Sequence, residues 1–301
     1  MRVLRTMLFV PGNNMRMIHK TKTLDADAFI LDLEDAVPME EKETARVFIE
    51  DALDWMGPEG LDVFVRVNTL ATGLTPSDIE AAVREGIGGI MLPKSESKGD
   101  VLEVDRLIED AEGRRGLKHG STSVIPLIET ARGVLNAPEI STAGSRIVAV
   151  SFGAVDFTRD MGTTISREGT ELFYARSRIS LVARASGVQA IDTVWVDIMD
   201  REGLLRDARL AKQLGFRGKL LIHPNQIEPV NGVFSPSEQE VRYAQRVVEA
   251  FREAEARGLG AISLEGRMID TASYRQALDL LSLAEAIEEK RMKRREAPWS
   301  P

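Results

Sequence analysis

Val124-Ile125-Pro126-Leu127-Ile128-Glu129-Thr130 is an apolar run that ends in one carboxylate, and Ile147-Val148-Ala149-Val150-Ser151-Phe152-Gly153-Ala154-Val155-Asp156-Phe157 is a second. Runs of this length, bounded by turn residues, read as strands buried on both faces. As neighbouring parallel strands they would bring Glu129 and Asp156 to the same C-terminal edge. That edge is where α/β folds place their ligands. Two carboxylates held side by side repel each other. A hard divalent cation such as Mg²⁺ is the usual compensation, bound by one or two carboxylates together with water and substrate oxygens.

Outward from these runs the pattern repeats. Met7-Leu8-Phe9-Val10, Ala28-Phe29-Ile30-Leu31-Asp32-Leu33, Val63-Phe64-Val65-Arg66-Val67 and Gly89-Ile90-Met91-Leu92 precede them; Val194-Trp195-Val196 and Lys219-Leu220-Leu221-Ile222-His223 follow. Helical spacing fills the gaps, as in Ala45, Phe48, Ile49, Ala52 and Leu53. Eight strands alternating with helices predict an α/β fold, a parallel sheet closed into a (β/α)₈ TIM barrel. A doubly wound open sheet fits less well, because no Gly-x-Gly-x-x-Gly turn follows any strand. The barrel is expected over residues 1–257. Ser235-Pro236-Ser237-Glu238 looks like a helix start, with Ser235 as cap and Pro236 in the first turn. Residues 258–301 form a C-terminal extension: a short loop or hairpin over 261–270, then a helix from Thr271. A closed barrel does not need this piece, so it is expected to act as a lid or to pack on a neighbouring subunit.

Composition excludes several classes. The 301 residues are 43% hydrophobic and 29% charged, as in ordinary globular proteins. A formal charge of -8 argues against nucleic acid and anionic membranes as partners. The absence of cysteine rules out disulfides, thiolate metal sites and cysteine nucleophiles. No stretch is long and apolar enough to span a bilayer, and Met1-Arg2-Val3-Leu4-Arg5-Thr6 lacks a signal-peptide core, so a cytoplasmic protein is expected.

The polar strand ends carry the candidate chemistry: Asp32, Glu34 and Asp35, then Arg66 and Asn68, then Glu129, then Asp156. Any one of them reads equally well as a helix cap or a salt bridge. The whole set at one mouth does not, because clustered acids are costly without a cation. Arg66 reads either as an ion-pair partner of Glu34 or Asp35, or as a fixed guanidinium for a carboxylate or enolate oxygen. His223 lines a pocket or is a hydrogen-bonded structural histidine. The turn Val10-Pro11-Gly12-Asn13-Asn14 offers backbone donors to an anion.

Met7-Leu8-Phe9-Val10-Pro11-Gly12, Leu31-Asp32-Leu33-Glu34-Asp35, Val65-Arg66-Val67-Asn68, Leu92-Pro93-Lys94, Pro126-Leu127-Ile128-Glu129-Thr130, Phe152-Gly153-Ala154-Val155-Asp156-Phe157 and Ile222-His223-Pro224 occur in this order. Together they resemble the citrate lyase β-subunit-like family within the HpcH/HpaI aldolase group. The resemblance implies a TIM barrel, Mg²⁺ (with Mn²⁺ as a substitute) and reversible carbon–carbon cleavage beside a thioester. It implies Glu129 and Asp156 as metal ligands, Glu34 and Asp35 as acids holding metal-bound water, and Arg66 as the substrate arginine. Phe9 and Lys20 fall at positions that contact the thioester in malyl-CoA lyases. Those enzymes carry an arginine where this chain has Asn14, with Arg16 nearby. Gly266-Arg267-Met268-Ile269-Asp270 is similar to a CoA-lyase motif whose aspartate serves a neighbouring subunit as general acid/base. Asp270 is equally placed to cap the helix that follows. The expected activity is cleavage of a CoA ester such as malyl-CoA or citramalyl-CoA by a homotrimer or hexamer. A citrate lyase β subunit, a malyl-CoA thioesterase and a non-catalytic binding barrel are the alternatives.

Overall fold

The computed structural model describes residues 2–57 and 60–296. Eight parallel strands close into a barrel in sequence order: β1 Thr6–Pro11, β2 Ala28–Asp32, β3 Val63–Arg66, β4 Gly89–Leu92, β5 Ser123–Ile128, β6 Ala149–Phe152, β7 Gln189–Asp192 and β8 Gly218–Leu221. Closure runs through β1 and β8, where Thr6 pairs with Lys219 and Leu8 with Leu221. The surrounding helices are α1 Met15–Lys20, α2 Lys42–Met56, α3 Thr75–Ala82, α4 Lys98–Arg115, α5 Ala131–Ser141, α6 Ala154–Asp160, α7 Phe173–Ala185, α8 Arg201–Leu214 and α9 Ile227–Phe234. The expected barrel is therefore present.

Alternation along each strand divides the apolar residues into two cores. Met7, Ala28, Ile30, Phe64, Met91, Ile125, Leu127, Ala149, Ile191 and Leu220 fill the barrel. Leu8, Val10, Phe29, Leu31, Val63, Val65, Ile90 and Val150 face outward onto the helices. This two-sided burial explains why the strands read as unbroken apolar runs.

Two sequence expectations shift. The seventh strand is Gln189–Asp192, not Val194-Trp195-Val196. Its ladder ends where Asp192 pairs with Lys219. The next residues instead fix a loop: Thr193 Oγ1 accepts from Ala154 N at 2.8 Å, and the Trp195 carbonyl accepts from Gln226 Nε2 at 2.8 Å. The sixth strand stops at Phe152, so Asp156 lies in the first turn of α6 rather than at a strand end. Gly153 makes the transition; a Cβ there would sit 2.5 Å from Glu129 Oε2.

Among the described residues, 235–296 form a compact unit together with residues 2–3. It holds α10 Glu238–Ala256, the antiparallel hairpin β9 Ala261–Leu264 and β10 Arg267–Asp270, and α11 Thr271–Glu296. Helix α10 is capped by Ser237, whose hydroxyl accepts from Glu240 N while Glu240 reaches back to Ser237 N. That reciprocal pair outcompetes the cap expected at Ser235. Ala244, Val247, Val248 and Phe251 of α10 pack on Ile269 and Ala277. Helix α10 thus groups with the hairpin and α11, and the unit begins at Ser235 rather than at residue 258. No helix among the described residues is long and apolar enough to cross a membrane.

Candidate active site

Alternation also selects the side chains at the barrel mouth. Asp32 follows the interior residues Ala28 and Ile30, Arg66 follows Phe64, Phe9 follows Met7, and Glu129 follows Ile125 and Leu127. Each reaches the mouth because it is two residues beyond an interior neighbour.

Sequence alone pairs Arg66 with Glu34 or Asp35. Both pairs form, and the fork itself goes to a further acid, Asp32, with Nε 2.7 Å from Oδ1 and Nη2 2.6 Å from Oδ2. Asp32 also accepts from Glu34 N and Ala36 N, so this buried carboxylate is fully used. The remaining nitrogen of Arg66, Nη1, lies 2.9 Å from Glu34 Oε2 and 3.7 Å from Asp35. The Phe9 ring stacks 4.8 Å from the guanidinium. Burial lowers the Arg66 pKa, but Asp32 and Glu34 outweigh it and hold it above its ordinary value. The result is a permanent cation held by Asp32 on one edge and facing Glu34 and Asp35 with Nη1.

Glu129 is 2% exposed. Its Oε1 accepts from Lys94 N at 2.8 Å. Burial, followed by repulsion from Glu34 and Asp156, pushes its pKa up to about 8 against the opposing pull of Lys94. Burial raises Glu34 as well, opposed by Arg66 and Lys94. Asp156 Oδ1 meets Arg159 at 2.6 Å and Lys94 Nζ at 3.9 Å. Asp35 is mostly exposed. The structure thus brings together Phe9, Glu34, Arg66, Glu129 and Asp156 through these contacts.

Lys94 had no assigned role in the sequence. It sits just past β4 with φ +46°, an uncommon backbone conformation for a side-chain-bearing residue. Its ammonium is 2.6 Å from Glu34 Oε1. Leu92-Pro93-Lys94 marks a strand end, but the left-handed turn that aims the residue is not legible there. Lys42 was missed too. It is buried, and its Nζ donates to the carbonyls of Leu33 and Glu34 at 2.5 and 2.6 Å, fixing the loop that carries Glu34.

Other candidates have local work. The turn at Pro11 is not rich in free donors: Gly12 N donates to Asp32 O and Asn14 N to Pro11 O. Asn14 caps α1 through Met17 N, and Lys20 is exposed at that helix's end. His223 is half-buried, and its Nδ1 accepts from Asn225 N at 3.2 Å, the structural reading. Asp270, in the C-terminal unit, caps α11 by accepting from Ser273 N and Oγ, both at 2.9 Å. Those donors hold its pKa below the usual carboxylate value. A cavity of about 930 Å³ is lined by Ala154, Ile165, Leu172, Thr193, Trp195 and Asp207 among others, but by none of the mouth acids.

The donor set fits a hard cation. Glu129, Glu34 and Asp156 offer only oxygen, and the chain has no cysteine to supply a thiolate. No group of three or more His, Asp or Glu among the described residues forms a ready cage. A Mg²⁺-type ion needs only one or two carboxylates, with water and substrate supplying the rest. The raised Glu129 pKa marks charge that such an ion would relieve.

A TIM barrel with acids and a fixed arginine at its C-terminal mouth has its polar groups where barrel enzymes carry their chemistry. A model of the HpcH/HpaI aldolase/citrate lyase family matches residues 5–224. The citrate lyase subunit beta of Leuconostoc mesenteroides subsp. cremoris is 43% identical over 285 residues, 95% of this chain and 94% of the relative. The mitochondrial citramalyl-CoA lyase of Homo sapiens is 36% identical over 297 residues, 95% of this chain and 87% of the relative. The crystal structure of CitE from Mycobacterium tuberculosis, in complex with magnesium, acetoacetate and coenzyme A, superposes with a TM-score of 0.77 at 34% identity. That match covers 95% of this chain and all of the other. The chain belongs to the HpcH/HpaI aldolase/citrate lyase family, and so to a class of lyases.

Arg66→Lys is expected to lower turnover by about 10²-fold or more, since a point charge cannot grip Asp32 in two places and still aim a second edge. Steady-state kinetics on the folded variant checks this. Wild-type turnover would leave Arg66 a purely structural ion pair.

Proposed function

We propose that the protein is a Mg²⁺-dependent lyase that reversibly splits the carbon–carbon bond of a 3-hydroxyacyl thioester into a 2-oxo acid and an acyl thioester. The buried Glu129, joined through Lys94 to Asp156 and to the Glu34 that the fixed Arg66 also meets, carries this reading. Glu129 and Asp156 are the proposed metal ligands, with Glu34 and Asp35 holding its waters. When bound, the ion supplies Lewis acidity and a template for the carboxylate and hydroxyl of the departing 2-oxo acid.

Bond cleavage leaves an electron pair on the thioester enolate. Arg66, locked by Asp32, holds Nη1 at the mouth beside Glu34, where its charge would be shared with the developing enolate oxygen. Phe9 packs under that guanidinium, and Lys20 is proposed to meet the carrier of the thioester. Asp270 is the proposed acid/base at the enolate carbon. Capped by Ser273 it is held ionised, which suits proton removal in condensation. To deliver a proton in cleavage the carboxyl would first have to take one up, which leaving that cap for a desolvated site would favour by raising its pKa. The segment that bears it is proposed to serve a neighbouring subunit in a trimer or hexamer.

The Asp270 motif favoured malyl-CoA or citramalyl-CoA as substrate. A match covering 95% of this chain must run past Asp270, so citrate lyase β subunits share that part of the chain. The 43% identity to such a subunit supports a citryl thioester as the first reading. A CoA ester is the second, supported by the coenzyme A held in the 34%-identical M. tuberculosis structure. The test is to incubate purified protein and Mg²⁺ with citryl, citramalyl and malyl thioesters and identify the 2-oxo acid. Oxaloacetate, pyruvate and glyoxylate are the respective products. Release of none would leave a binding barrel without catalysis; free CoA without a 2-oxo acid would indicate a thioesterase.

A further inference from the structure

One side chain ties the mouth acids together. The left-handed backbone at Lys94 turns its N–H toward Glu129 Oε1, 2.8 Å away, and sends its side chain back to the other two acids. The ammonium lies 2.6 Å from Glu34 Oε1 and 3.9 Å from Asp156 Oδ1. One residue therefore touches all three carboxylates of the candidate metal site. Its single charge faces three acids, of which Glu34 and Glu129 are almost fully buried. Arg66 offers only one nitrogen to Glu34, and Arg159 is an exposed partner of Asp156. Lys94 is thus the cation shared by the whole cluster.

We propose that Lys94 is a built-in counter-cation of the metal site: it bridges Glu34 and Asp156 before a divalent ion binds, and the ion must displace its ammonium from Asp156. The inference rests on the metal reading of Glu129 and Asp156. Two consequences follow from charge. Without a divalent ion, Lys94 limits the repulsion among buried carboxylates and keeps the mouth assembled. With one, its positive charge opposes the incoming cation and weakens binding, because like charges a few ångströms apart in a partly buried site repel strongly. Lys94 therefore exchanges metal affinity for a mouth that stays formed when empty. It is a positioning residue, acting through the acids.

Lys94→Met is the decisive variant. It removes the charge at similar length and keeps the backbone N–H that holds Glu129. Mn²⁺ binding to the purified full chain is measured by calorimetry, and melting is followed in EDTA and in Mn²⁺. Lys94→Met should bind Mn²⁺ about tenfold more tightly than wild type. It should melt lower than wild type in EDTA, with the gap narrowing in Mn²⁺. A variant that unfolds in EDTA and refolds on Mn²⁺ addition supports the proposal equally. Lys94→Arg, which keeps the charge, should stay with the wild type in both measurements. Unchanged or weaker Mn²⁺ binding by Lys94→Met overturns the proposal, as does Lys94→Arg behaving like Lys94→Met. Glu129→Gln separates the two levels. If it binds Mn²⁺ as wild type does, the metal reading itself falls and this inference falls with it.

Discussion

Glu129→Gln is expected to abolish tight Mg²⁺ or Mn²⁺ binding and to lower turnover by about 10³-fold, since a Lewis-acid contribution of several kcal/mol is lost. The fold should survive, because the amide matches the carboxyl in size and, like the protonated Glu129 that a pKa of about 8 implies at neutral pH, carries no charge. EDTA should do to the wild type what the substitution does to the variant. Full activity after chelation would sink the metal reading. The pH dependence has a definite sign. Burial and the neighbouring acids raise Glu129 from 4.5 to about 8 in the metal-free chain. A group raised in this way contributes stability below its unfolded value, and that contribution is lost as pH rises through the folded one. Metal-free wild type should therefore lose stability between those two values. Over the same window Mn²⁺ competes with a proton on Glu129, so its apparent affinity should climb by up to about tenfold per pH unit and level off above the folded value. Glu129→Gln should show neither trend. Calorimetric titrations at several pH values check both.

Asp270→Asn carries the next largest expectation. The variant should fold, bind metal and bind the thioester, yet lose about 10²–10⁴-fold in turnover, the usual contribution of a general acid/base. The amide retains an oxygen to cap α11 through Ser273, so helix loss should not confuse the result. Gly258 and Gly260 precede the hairpin and Gly266 forms its turn; Gly258 and Gly266 have positive φ, which glycine adopts at little cost. A hairpin beyond a closed barrel is well suited to serve another subunit. Mixing Asp270→Asn chains with Glu129→Ala chains under exchange conditions should then restore part of the activity. Some sites would combine an intact metal ligand from one chain with an intact aspartate from another. No recovery in verified mixed oligomers would assign Asp270 to its own barrel or to capping alone. Undiminished turnover in Asp270→Asn would leave it a helix cap.

Sequence by itself determined the barrel and most of the mouth. Strands buried on both faces must be apolar throughout, so β2, β3, β5 and β6 are visible as unbroken runs, and period-two alternation carries Arg66 and Glu129 to one rim. The same logic failed at β7. Gln189-Ala190-Ile191-Asp192 hides its strand because Asp192 points away from the barrel into a buried pair with Arg176 and Lys219, while the more strand-like Val194-Trp195-Val196 is tied into a loop. Tertiary structure alone decided how the mouth is wired. That Arg66 gives its fork to Asp32, that Lys94 turns left-handed to reach three acids, and that His223 caps a turn all depend on backbone angles and on side chains from different strands. No local pattern encodes such pairings, because a sequence sets which face of its own strand a residue takes, whereas the partner it meets there is set by the closure of the barrel.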